Sequence, residues 1–268
     1  MRLLLTVCAL LAPGSWVTAQ QPAERPNVLL ILADDLGFAD LGCYGGEIAT
    51  PNLDALAKGG VRFRQFYNGT RCCPSRAGLL TGLYPHQAGV GGMTSDTGRP
   101  GYRGHPQPNT RTVAEVLRAA GYHTSMVGKW HLSAGPKTPR PTDRGFDEFY
   151  GMIGGFNSCF QEDPFYTRLP AGRQKRAYPQ DRFYSTDVFG DYALDFIELA
   201  RKEKKPFFQY LAFNAPHFPL HAKPEDIKKY AGTYTEGWDQ LRAARHKKQI
   251  ELGVFATGTP LSPRSPFT

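Results

Sequence analysis

Residues 27–32 read Asn-Val-Leu-Leu-Ile-Leu, and no other stretch limits the fold as tightly. An apolar run of strand length without polar alternation has no wet face. It therefore predicts a central strand of a parallel sheet, covered on both sides. The run follows a Pro/Gln-rich joint at residues 20–26 and ends in Ala33-Asp34-Asp35-Leu36-Gly37. Open α/β sheets bind their ligands at the carboxyl ends of strands, and adjacent carboxylates there suit a hard cation such as Ca²⁺ or Mg²⁺. An Asp that merely caps the next element is the competing reading.

Strand and helix signals then alternate. Thr50-Pro51-Asn52-Leu53-Asp54 opens a helix that Gly59-Gly60 closes. Residues 61–67, rich in aromatics, predict a strand. Thr112-Val113-Ala114-Glu115 is a capping-box pattern leading into a helix through Ala120, and residues 122–127 form the next strand. Ser185-Thr186-Asp187 caps a helix running to Lys204, residues 207–213 form a second buried strand, and helices follow over 224–230 and 238–252. Residues 89–108 and 140–179 are Gly/Pro-rich loop regions, the second with short strands lining an entrance. The alternation places the chain in the α/β class with a mostly parallel central sheet flanked by helices.

Three clusters carry chemistry. Cys72-Cys73-Pro74-Ser75-Arg76 opens a short helix ending at Gly82, with Pro74 in the first turn. The free N–H groups of that turn favour an anion beside Cys72, and Arg76 adds a permanent positive charge one turn on. Gly128-Lys129-Trp130-His131-Leu132 follows a strand. Lys129 and His131, two apart in extended chain, project to one side as a cation and a titratable base. His217 sits in Pro216-His217-Phe218-Pro219 after the strand at 207–213, at the same sheet edge. On residues alone, an ordinary loop cysteine, surface side chains and a structural turn histidine remain alternatives. His86, His105, His123 and His221 receive no role.

With 268 residues, 41% of them apolar, the chain can bury a large core as one globular unit or part of one. A formal charge of +8 favours anionic substrates. The basic clusters at 201–205 and 245–248 read as solvent-facing helix without aromatic interleaving, which argues against a nucleic-acid partner. Residues 1–19, with a basic start, an apolar run over 3–11 and Val17-Thr18-Ala19, match a signal peptide too short to anchor in a bilayer. The expectation is export to the periplasm or the exterior, with no membrane span and with Cys43, Cys72, Cys73 and Cys159 in an oxidising compartment. Asn68-Gly69-Thr70 matches a glycosylation acceptor and is read as structural.

The string Cys72-x-Pro74-Ser75-Arg76, with Leu80-Thr81-Gly82 after it, resembles the signature of the formylglycine-dependent sulfatases of the alkaline phosphatase superfamily, and Gly128-Lys129-Trp130-His131 resembles their second signature. Gly237-Trp238-Asp239, Leu241-Arg242 and Leu261-Ser262-Pro263-Arg264 look like the arylsulfatase branch common in bacteria. The resemblance implies an alkaline-phosphatase-like fold and a partial sulfatase catalytic domain over residues 25–268. It implies hydrolysis of sulfate esters by a formylglycine derived from Cys72, with a formylglycine-generating enzyme as maturation partner and a sulfated small molecule or glycan as substrate. It makes Asp34, Asp35 and the modified Cys72 ligands of Ca²⁺, or of Mg²⁺ in its place. Lys129 would bind sulfate oxygens, His131 would partner the formylglycine hydrate, Arg76 would offset charge, and His217 would act near the ester; Cys73 has no role. Conversion of Cys72 would leave three cysteines, which argues against a disulfide-built fold. The family's downstream Asp-Asn pair and further lysine are not seen, since no aspartate follows Asp239 and no asparagine follows Asn214. The C-terminal part of the fold is accordingly expected to be missing. A phosphatase or phosphonate hydrolase of the same superfamily and a non-catalytic fragment are the competing expectations.

Overall fold

The strand-length apolar runs assemble into one sheet in the computed structural model, which describes residues 25–266 apart from Ala134 and Pro136. The signal peptide expected at residues 1–19 lies outside the described residues. Five strands, β1 (Val28–Asp34), β2 (His123–Lys129), β3 (Glu148–Met152), β4 (Thr167–Leu169) and β5 (Phe207–Pro216), lie in the order β1-β5-β2-β3-β4. All neighbours are parallel except β3 and β4. β5 is therefore the strand between β1 and β2, pairing Leu30 with Tyr210 on one side and Met126 with Tyr210 on the other.

Helices cover both faces, as a parallel sheet requires. On one face, α2 (Cys72–Thr81) and α3 (Val113–Ala119) pack Cys73, Ala77, Leu80 and Ala114 against Met126, Phe208, Tyr210 and Ala212. On the other, α4 (Ser185–Lys202) packs Val188, Phe189, Tyr192 and Phe196 against Val127, Tyr150, Met152 and Leu211. The alternation of Met126 with Val127, and of Tyr210 with Leu211, between the two cores is the period of two of a pleated strand. Each such large side chain, fully buried, contributes about 1.5–3 kcal/mol. α1 (Pro51–Gly59), α5 (Pro224–Lys229) and α6 (Trp238–Glu251) lie outside these cores.

Several local expectations hold. Thr112 and Glu115 form the capping box of α3, and α2 starts at Cys72 and stops where Gly82 turns left-handed, with φ of 68°. Asn68 accepts from the Thr70 backbone N–H, a local turn consistent with its structural reading. The four described cysteines are all free thiols. No helix among the described residues is long and apolar enough to cross a membrane.

Three expectations are corrected. β1 is an edge strand, not a central one. Val28, Leu30 and Leu32 face the α2 core, but Leu29 and Ile31 on the opposite face are 47% and 44% exposed, because α4 packs on β5, β2 and β3 and does not reach that far. Residues 61–67 form no strand; Val61, Phe63, Phe66 and Tyr67 are exposed and find no ladder to join. α4 begins at Ser185 itself, with Tyr184 at the cap and no side-chain cap bond.

Candidate active site

The parity of β1 that hides Leu30 and Leu32 also turns Asp34 toward α2, where it is 4% exposed. Its two oxygens are both taken. Lys129, at the end of β2, donates from Nζ to Oδ2 at 2.5 Å, and Arg76 of α2 donates from a terminal nitrogen to Oδ1 at 3.1 Å. The other terminal nitrogen of Arg76 donates to the Lys129 carbonyl at 2.7 Å and to the Tyr210 hydroxyl at 3.2 Å. Two cations, from β2 and α2, are thus tied to one carboxylate on β1, and Asp34 could not lose either partner without leaving a buried charge unpaired. Burial also pushes the Tyr210 hydroxyl above its ordinary pKa.

Lys129 reaches this position through a special backbone. Gly128 has φ of 107°, and a Cβ there would lie 1.9 Å from the Ala212 carbonyl oxygen, so only glycine permits the approach of β2 to β5. Beyond Lys129, Trp130 is fully buried, edge-on to Phe146, with its indole N–H donating to Ser133 Oγ at 3.1 Å. The expectation that Lys129 and His131 share a side through extended alternation does not hold. His131 sits at φ of 50°, its backbone N–H donating to the Ile153 carbonyl at 3.0 Å, and this turn swings its ring to Cys72. A left-handed conformation at a non-glycine residue is a local strain that the packed surroundings must impose.

Cys72 opens α2 half-buried. A hydrogen bond from Cys73, and after it one from His131, with the Lys129 charge adding its pull, hold the Cys72 thiol far below its ordinary value, at about 3. Cys73 moves the opposite way, raised by the bond it gives to Cys72 and by burial. The sulfurs of Cys72 and Cys73 and a His131 ring nitrogen lie within 4.8 Å of one another.

The structure therefore gathers Cys72, Arg76, Lys129, His131 and Asp34 into one cluster. Asp35 and His217 form a separate rim pair, with His217 Nε2 3.6 Å from Asp35 Oδ2 and the His217 ring stacked at 6.2 Å on Phe156. As they stand, these donors do not make a hard-cation site. Both Asp34 oxygens are occupied by Lys129 and Arg76, Asp35 is turned to the exposed rim, and an ion of that class takes about six to eight oxygens. Tyr210, Trp130 and Gly155 were not legible as site residues in the sequence. Tyr210 reads there as one more apolar strand position, and Gly155, where a Cβ would sit 2.6 Å from the His131 ring, as one more loop glycine.

The stretch that carries this site also matches a known family. Residues 26–254 match the family model described as Sulfatase. The chain belongs to the sulfatase family. It is 38% identical over 265 residues to an arylsulfatase of Klebsiella aerogenes, covering 95% of this chain and 56% of the relative. It is 36% identical to N-acetylgalactosamine-6-sulfatase of Mus musculus over 88% of this chain and 46% of that protein. Among solved structures, Ps i-CgsB in complex with k-i-k-neocarrahexaose superposes with a TM-score of 0.66 at 32% identity, over 86% of this chain and 53% of the other. BT4656, in complex with D-glucosamine-2-N,6-O-disulfate, gives 0.58 at 30% identity, over 79% and 38%. A Vibrio parahaemolyticus protein of the alkaline phosphatase superfamily shares the fold at 0.50 and 21% identity. This sulfatase-family chain thus spans about half the length of the relatives it matches.

Proposed function

We propose that the chain is the N-terminal part of an exported, formylglycine-dependent sulfatase that hydrolyses sulfate esters of a glycan or small molecule. The observation that carries this reading is the convergence of Cys72, at a helix N-terminus, with Arg76, Lys129 and His131 from distant parts of the chain. The sulfated sugars bound by BT4656 and the arylsulfatase activity named for the Klebsiella relative support the substrate class.

Formylglycine at position 72, once a maturation enzyme has made it, supplies a hydrated aldehyde as nucleophile toward sulfur. The chain's own residues supply the setting. The α2 N-terminus and Arg76 place positive potential at residue 72, and Lys129 presents an ammonium to offset charge on sulfuryl oxygens. His131, in contact with residue 72, is placed to take or return its proton. His217 stands at the rim where a leaving alcohol would depart. Asp34 fixes Lys129 and Arg76. With both its oxygens taken by these cations, Asp34 has none left for a Ca²⁺ or Mg²⁺ ion in this arrangement.

The test is mass spectrometry of residue 72 in active full-length protein, joined to turnover of an aryl sulfate and an aryl phosphate. An aldehyde at position 72 and a preference for the sulfate support the reading; an unmodified thiol in active protein overturns it. Preference for the phosphate would assign the site to the phosphatase side of the superfamily. Lys129→Ala in the active protein is expected to lower kcat by about 10²–10³, the usual cost of one preorganised charge-stabilising donor.

A further inference from the structure

Cys73 and one ring nitrogen of His131 are left unexplained by sulfate-ester chemistry. Cys73 is fully buried, has no part in the proposed reaction, and lies against the sulfur of Cys72. His131 is more than nine-tenths buried, and its Nδ1 has no hydrogen-bond partner, which is costly for a buried polar atom. Among the described residues, these three side chains are also the one group of metal-ligating type whose donor atoms converge, all within 4.8 Å of one another.

We propose that the unconverted, thiol form of this chain binds a thiophilic divalent cation, Zn²⁺, through Cys72 Sγ, Cys73 Sγ and a ring nitrogen of His131. Two thiolates and an imidazole are the soft donor set that zinc takes. At its usual bond lengths near 2.3 Å to sulfur and 2.0–2.1 Å to nitrogen, tetrahedral ligands sit roughly 3.5–3.8 Å apart, so the cluster needs only a small contraction. Three protein ligands leave the fourth position to water on the half-exposed side of Cys72. Charge permits the ion. Two thiolates and the Asp34 carboxylate against the Lys129 and Arg76 cations leave one negative charge before it enters. The Asp34 and Asp35 carboxylates are distinct from this set, since oxygen and sulfur ligands select different metals. Binding releases to solvent the one proton that Cys73 shares with Cys72, and involves no change of oxidation state.

The experiment uses the full chain produced without a converting enzyme, reduced and freed of metal. Titration with Zn²⁺ is expected to load one equivalent, and Co²⁺ to give thiolate-to-metal charge-transfer absorption. Cys73→Ser should weaken Zn²⁺ binding by at least about 100-fold, the upper end of what loss of even an outer partner costs, while Cys159→Ser leaves it unchanged. Zn²⁺ should also slow alkylation of Cys72 in the unaltered chain, a reading that does not depend on any variant folding. Equal zinc affinity in Cys73→Ser, a cobalt spectrum without thiolate bands, or alkylation of Cys72 indifferent to zinc would each overturn the proposal. Because these measurements are made on the thiol form, their failure leaves the sulfatase reading standing, and failure of aryl-sulfate turnover leaves this one standing.

Discussion

β1 and β2 are both seven-residue strands parallel to β5, and they flank it on opposite sides, yet they are stabilised in different ways. β2 is buried at every position, between the α2/α3 core and the α4 core. β1 is buried on one face only, and its one fully buried residue is the charged Asp34. What holds β2 is packing; what holds the site end of β1 is the pair of cations that reach over from β2 and α2. The comparison shows that the candidate site lies on the seam between a packed and an open half of the sheet, joined there by charge.

The widest expected contrast is in thiol reactivity. Cys72, held at about 3, should alkylate at a rate flat between about pH 5 and pH 8. Cys43, in the turn after β1, is raised by burial and by Asp54 and should gain about tenfold per pH unit. A thiol whose folded pKa lies below its ordinary 9.0 adds stability that is complete above pH 9 and is lost as the pH falls toward 3. A Cys72 rate that climbs with pH in step with Cys43 would show that its thiolate is not stabilised.

In stability, Asp34→Ala should cost about 3–5 kcal/mol in a urea titration, because Lys129 and Arg76 would stay buried without their counter-charge. A loss under 1 kcal/mol would mean that the seam is not held by charge. Met126→Ala on the packed strand should cost about 2–5 kcal/mol. Gly128→Ala should cost about 1–3 kcal/mol from its left-handed φ alone, with the clash against Ala212 added. Leu29→Ala, on the open face of β1, should cost only about 1 kcal/mol, since half of that side chain never leaves water. Equal losses for Met126 and Leu29 would erase the difference between the two strands.

Much of this was legible in the sequence because its determinants are local. The capping box at Thr112 and Glu115 and the helix from Cys72 to the Gly82 stop depend on neighbours within a few residues. The coming together of Cys72, Arg76, Lys129 and His131 was legible only through the two family strings, since spacing alone left each residue an ordinary reading. The geometry that joins them was not readable. His131 arrives through a left-handed turn, and Tyr210 meets an arginine 134 residues away. The reading of residues 27–32 failed on one face for a related reason: an unbroken apolar run says that both sides want cover, not that the described chain provides it.

The outer rim of β1 carries a further consequence. Among the described residues β1 is an edge strand, its outer backbone donors and acceptors unpaired, and its run Val28–Leu32, with Leu29 and Ile31 exposed, carries no charged or proline guard of the kind that normally keeps sheet edges from pairing between molecules. Prepared on its own, this polypeptide should self-associate as its concentration rises, and a lysine placed at Ile31 should delay that association while leaving the Asp34 seam intact.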